Sequence, residues 1–340
     1  MAGLYAAYLP LVQSINDYGG NFVSMYVRRQ VLDAIDKGAG DDDALRYVQS
    51  KLHEKIQRWS GIQDHDSLSK FFETYYEGVF YLAALHRGVS LRNIPAGNNK
   101  GNTPDFQTVD QQQPVNFEIK TIDVSNPVQA YDKIMTEGLD ANFEAEKMTK
   151  TAGYATSVRS IAIHGAAKSF LEVVEQVMKK IDSNIKAGQY QNSPTILVVS
   201  NARTAIHDDA GNLRRWLPFS DIKQPASGQL YAIAAHELDQ PFFFPDDQER
   251  MTDLGPLSRA GILRDHTFIA GLIFLVTKTS AFNSGHLIED VYSFNGIWNV
   301  DWEKKNPFGQ QATISTKKTF ESLCHAWNDT EDSRGNLLPT

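Results

Sequence analysis

The chain has 340 residues, of which 41% are hydrophobic and 22% charged, with a net charge of −8. That composition supports a full core and excludes a wholly disordered chain, and the acidic balance argues against tight, indiscriminate binding to duplex nucleic acid. One cysteine, Cys324, excludes an internal disulfide framework; with no signal-peptide pattern and no run near the ~20 apolar residues of a membrane helix, the expectation is a cytoplasmic protein with no membrane partner.

Residues 1–65 read as helical. Val27, Val31, Leu32 and Ile35 recur at helical spacing, and Ala44, Leu45, Val48 and Leu52 do so again. Between them, Lys37-Gly38-Ala39-Gly40 stops one helix and Asp41-Asp42-Asp43 starts the next, since acids complement a helix N-terminus. A second region, 66–205, opens with a helix from Leu68 to Arg87 that ends at Gly88. A short strand follows at Val89–Ile94, then a Gly/Asn-rich loop to Thr103. Two strands, Pro104–Val109 and Val115–Ile122, are joined by five residues, Asp110–Pro114, as in a hairpin.

Residues 126–150 are polar and partly helical in character. The stripe Ala166, Phe170, Val173, Val177, Ile181 and Ile185 predicts a longer helix, and the apolar, β-branched run Thr195–Val199 predicts a central strand covered on both faces. In the third region, 206–340, Leu230–Ala235, Ala270–Val276 and Ile288–Phe294 read as strands that extend the same sheet. The order of elements indicates an α/β fold with a mixed central sheet flanked by helices.

The chemistry concentrates in Pro104-Asp105 and Phe117-Glu118-Ile119-Lys120. Side chains alternate along a strand, so Glu118 and Lys120 share one face while Phe117 and Ile119 take the other. Asp105 lies on the neighbouring strand, and opposed residues there are ~5 Å apart. Two carboxylates and a main-chain carbonyl suit Mg²⁺, which keeps several waters, and an ammonium beside them can orient water or offset charge on a phosphorane-like transition state.

These residues, with twelve between Asp105 and Glu118, resemble the PD-(D/E)xK nuclease superfamily. The resemblance covers residues 68–201. It implies a restriction-endonuclease-like core, with an N-terminal helical region and a C-terminal extension beyond it. It implies metal roles for Asp105, Glu118 and the Ile119 carbonyl, and an electrostatic, water-positioning role for Lys120. In this superfamily the helix before the first core strand often carries a further acid. Glu73 and Glu77 are four apart and hence on one face; Glu77 fits the distance to Gly88 better and would reach the metal through water. Some members add a glutamine or lysine from the following helix, for which Lys168 and Gln176 are candidates.

The activity so implied is Mg²⁺-dependent hydrolysis of DNA, with Mn²⁺ as a substitute ion, in restriction, defence or repair; a homodimer or partner subunit is compatible with the flanking regions. The alternative is an inactive module that keeps the fold to bind nucleic acid or a protein. Other motifs are weaker. Gly97–Gly101 lacks phosphate-loop spacing, the histidines lack metal-ligand spacing, and Phe242-Phe243-Phe244 reads as core packing.

Overall fold

A computed structural model of the chain describes residues 3–17, 27–60, 64–94, 103–109, 113–123, 143, 145–150, 170–203, 229–245, 251–277 and 292–324. The first region is a set of helices: α1 (Leu4–Asp17), α2 (Arg29–Gly38) and α3 (Asp43–Arg58). The acid run does cap α3, the Asp42 carboxylate accepting the Leu45 N–H at 2.9 Å. Helix α4 (His65–His86) starts in the same way at Asp64, which accepts from Ser67 N–H. It stops at Gly88, whose φ of +74° is a conformation that a residue with a Cβ adopts only under strain.

The central sheet has six strands in the order β1-β2-β3-β4-β7-β8. Strands β1 (Leu91–Asn93), β2 (Phe106–Thr108) and β3 (Asn116–Asp123) form an antiparallel meander. Strand β4 (Thr195–Arg203) pairs parallel with β3, which requires a crossover. That crossover carries α5 (Phe170–Asn184) and a 3₁₀ turn at Ala187–Tyr190. Strand β7 (Gly271–Thr277) pairs parallel with β4, and β8 (Tyr292–Trp298) closes the sheet antiparallel. The sheet is thus mixed, as expected, and the third region adds two strands to it.

Both faces of β3 and β4 are covered. Phe117, Ile119, Ile196 and Val198 pack with α1–α4 and with Phe320 and Leu323 of a C-terminal helix. Leu197, Val199 and Ile122 pack with α5 and with two short helices, α6 (Gln229–Ala235) and α7 (Ile262–Asp265). The N-terminal helices share one apolar core with the sheet, and the polar residues Glu118 and Lys120 share a face with Leu197.

Three local features depart from the sequence reading. Leu230–Ala235 is helical, not a strand. A short apolar run does not distinguish a strand from a buried helix by periodicity, and its three alanines favour the helix. Two helices of the third region, α8 (Val300–Lys305) and α9 (Gln310–Leu323), carry no apolar run of their own. Pro241–Pro245, which holds the three phenylalanines, is β5, paired with β6 (Met251–Pro256) in a separate two-stranded sheet; the phenylalanine side chains lie outside the described residues. So do the Gly97–Gly101 loop, Lys168, and all of residues 126–150 except 143 and 145–150.

Candidate active site

Aromatic packing brings the helix acids to the hairpin. Phe80 of α4 lies 5.2 Å from Phe117 and 6.4 Å from Phe106, and Tyr81 lies 5.5 Å from Phe106, centroid to centroid. Glu77 is one helical turn before this contact and is half-buried. Glu73 lies one turn earlier on the same face.

Asp105 precedes β2 and grips β3 on both sides of Glu118. Its N–H donates to the Phe117 carbonyl at 3.0 Å, and its Oδ2 accepts the Ile119 N–H at 2.8 Å. In an extended strand the Ile119 carbonyl faces the same edge as its N–H. Glu118 is buried, at 2% exposure, and its Oε1 accepts from the Lys120 ammonium. Its other oxygen, Oε2, is buried without a hydrogen-bond partner. A carboxylate oxygen in that condition is costly unless something cationic or protic completes it.

The electrostatics agree. Burial pushes the Asp105 carboxyl up to about 7, with the Glu118 charge adding to the rise and the Ile119 N–H and Lys120 opposing it. Burial also raises Glu118, against Lys120. The Glu77 carboxyl is raised well above the carboxylate range by burial and then by Asp105, Glu73 and Glu118. Partial burial raises Glu73, against Lys120, Lys70 and Lys55. Carboxylates that hold protons against each other in this way form a site short of positive charge.

The donors are all hard oxygens, the set that suits Mg²⁺ or Mn²⁺. Asp105, Glu118 through Oε2 and the Ile119 carbonyl would hold the ion, and the unpartnered Oε2 is the observation that fits it. Among the described residues no group of three or more His, Cys, Asp or Glu is arranged to hold a metal ion. Glu77 acts on the pair through its charge. Glu73 stands farther out, towards Lys70 and Lys120.

Residues without a motif also face the site. Gln189, on the 3₁₀ turn after α5, is 5% exposed and lies beside Glu118, where it favours the ionised form without closing a hydrogen bond on Oε2. Its amide reaches the Thr103 carbonyl at 3.5 Å. The neighbouring Tyr190 hydroxyl is buried without a partner, and its pKa is raised by burial, Glu118 and Asp105. Gln176, the candidate from the sequence, is on α5 and only partly buried. A lone Gln-Tyr before a proline-led strand carries no sequence signal of this placement.

No protein-family model, curated protein or solved structure matches this chain.

Proposed function

We propose that this chain is a divalent-metal-dependent nuclease that hydrolyses DNA phosphodiesters at the Asp105–Glu118–Lys120 site, on a restriction-endonuclease-like core. The observation that carries the reading is the buried, unpartnered Oε2 of Glu118 beside an Asp105 carboxyl whose pKa burial pushes up to about 7. The hairpin of β2 and β3, followed by a helical crossover to a parallel β4, supports the core assignment.

When bound, Mg²⁺ supplies charge neutralisation, polarisation of a phosphoryl oxygen and acidification of water. The chain's own residues do the rest. Asp105 is fixed to β3 through the Ile119 N–H, so its free oxygen is oriented before any ligand arrives. Lys120, held by Glu118, is 19% exposed and places its ammonium where it can orient a water or meet charge growing on the phosphoryl oxygens. Water attacks phosphorus in line and the P–O3′ bond breaks, leaving a 5′-phosphate and a 3′-hydroxyl. The Lys120–Glu118 pairing favours one second reading, a binding module in which lysine replaces the ion.

The test is cleavage of linear, supercoiled, single-stranded and branched DNA, and of RNA, with Mg²⁺, with Mn²⁺ and with chelator. It is repeated with Asp105→Ala and Lys120→Ala. Metal-dependent DNA cleavage lost in both variants is the expected result. Cleavage that persists in chelator or in both variants contradicts it, and folded protein that cuts nothing supports the binding module.

A further inference from the structure

Helix α3 packs against α4, the helix that carries Glu73 and Glu77. Its buried face, Ala44, Leu45, Val48, Leu52 and Ile56, seats it on the core, and Tyr47, Lys51 and Lys55 follow one another at four-residue spacing beside that face. Tyr47 is 42% exposed, so its ring is open to solvent on the helix surface. Burial raises the pKa of its hydroxyl, Lys51 opposes the rise, and the charges of Glu77 and Asp105 add to it. The Lys51 ammonium stands 5.7 Å from the ring centroid. Lys55, one turn on, acts on Glu73. Glu54 is the acid among these bases, and Lys51, Arg58 and Lys55 hold its carboxyl below the usual range. With Lys51, Lys55 and Arg58 against Glu54 alone, this stretch is a local excess of positive charge on an acidic protein.

We propose that this row is the track along which single-stranded DNA enters the site, a strand end or an unpaired region, with Tyr47 stacking on a base and Lys51 and Lys55, one and two turns on, meeting successive phosphates to one side of it. The inference rests on the nuclease reading of the Asp105–Glu118 site. An exposed ring beside a lysine matches a flexible single strand, whose bases have free π-faces, whereas the bases of an intact duplex are stacked on each other. The positive row also solves a difficulty of charge. Carboxylates that repel each other repel phosphates too, and a cationic approach immediately beside them holds the strand in place.

The test is anisotropy of labelled oligo-dT, of duplex DNA of equal length and of oligo-U. It uses Ca²⁺ in place of Mg²⁺, with wild type, Tyr47→Ala, Tyr47→Phe and the double variant Lys51→Ala/Lys55→Ala, each verified as folded by circular dichroism. Oligo-dT is expected to bind more tightly than duplex or oligo-U. Tyr47→Ala should weaken it about 5- to 100-fold, the contribution of one stacked base, and Tyr47→Phe should not. The lysine variant should reduce the salt dependence of binding by a slope of about 1.4, at about 0.7 per phosphate contact. Equal affinity in Tyr47→Ala and wild type, tighter binding of duplex or oligo-U, or no binding at all overturns the proposal. Tyr47-dependent binding by a protein that cuts nothing leaves the track standing and removes the nuclease; cleavage unaffected by Tyr47→Ala does the reverse.

Discussion

The Asp105 carboxylate accepts the Ile119 backbone N–H at 2.8 Å, so a side chain outside the strand completes the edge of β3 at the residue between Glu118 and Lys120. The two acids are thereby tied by main chain rather than by a flexible contact. They stay close in spite of the burial and mutual charge that drive their pKa values up. Folding holds together a pair that electrostatics drives apart.

The pH dependence follows with a definite sign. The Asp105 carboxyl sits at about 7 when folded against an ordinary 3.8, so the folded state holds a proton that the unfolded chain releases. Stability from this group is full below pH ~4, falls as the pH rises through about 7, and levels off above. Thermal unfolding without metal should show a higher midpoint at pH 5 than at pH 8. Asp105→Asn should flatten the profile, and Mg²⁺ should stabilise wild type at pH 8 but not at pH 5.

Removing Lys120 separates electrostatics from catalysis. Lys120→Ala leaves Glu118 buried with neither oxygen paired to an ammonium, a loss of roughly 1–3 kcal/mol in the absence of metal. Saturating Mg²⁺ should restore most of that stability without restoring cleavage. Denaturant unfolding with and without Mg²⁺ measures the first effect, and a cleavage assay the second.

Asn299 is fully buried and joins three segments. Its Oδ1 accepts from the Asp301 and Trp302 N–H groups to cap α8, and its Nδ2 donates to the Leu263 and Ile269 carbonyls. Asn299→Ala should cost ~2–4 kcal/mol, a lost cap plus stranded buried partners. Asn299→Asp should not rescue it, because a carboxylate oxygen would face the two carbonyls. Urea midpoints of the two variants check this.

Gly261 leads into α7 where the chain passes over the end of α6. A Cβ there would lie 2.4 Å from the Ala235 nitrogen and 2.5 Å from that of His236, main-chain atoms that cannot move aside. Gly261→Ala should destabilise by more than 1 kcal/mol, on the order of an overpacked core site. Gly40→Ala, with open space around it, should be close to neutral in the same unfolding experiment.

What the sequence made legible has physical limits. The hairpin, the capped helices and the central strand announce themselves through alternation, an acid run and a β-branched apolar stretch. Asp105, Glu118 and Lys120 come together because strand alternation and one tight connection determine their placement. Residues brought in by tertiary packing carry no such pattern. Gln189 and Tyr190 reach Glu118 only because a crossover helix ends above β3, and Tyr47 comes beside the helix of Glu73 and Glu77 only because α3 packs against α4. Leu230–Ala235 shows the same limit in another form, since six apolar residues in a row suit a helix or a strand until their neighbours are known.

The most direct measurement is a titration of metal-free protein with Mn²⁺ at pH 8, followed by calorimetry and by electron paramagnetic resonance of the free ion. It is made on wild type, Asp105→Asn and Glu118→Gln, with folding of each verified. Wild type is expected to bind Mn²⁺ that Mg²⁺ displaces, with an affinity that weakens as the pH falls below 7 and is lost in each variant. Binding that is equal in all the proteins, or absent from folded wild type, contradicts this expectation.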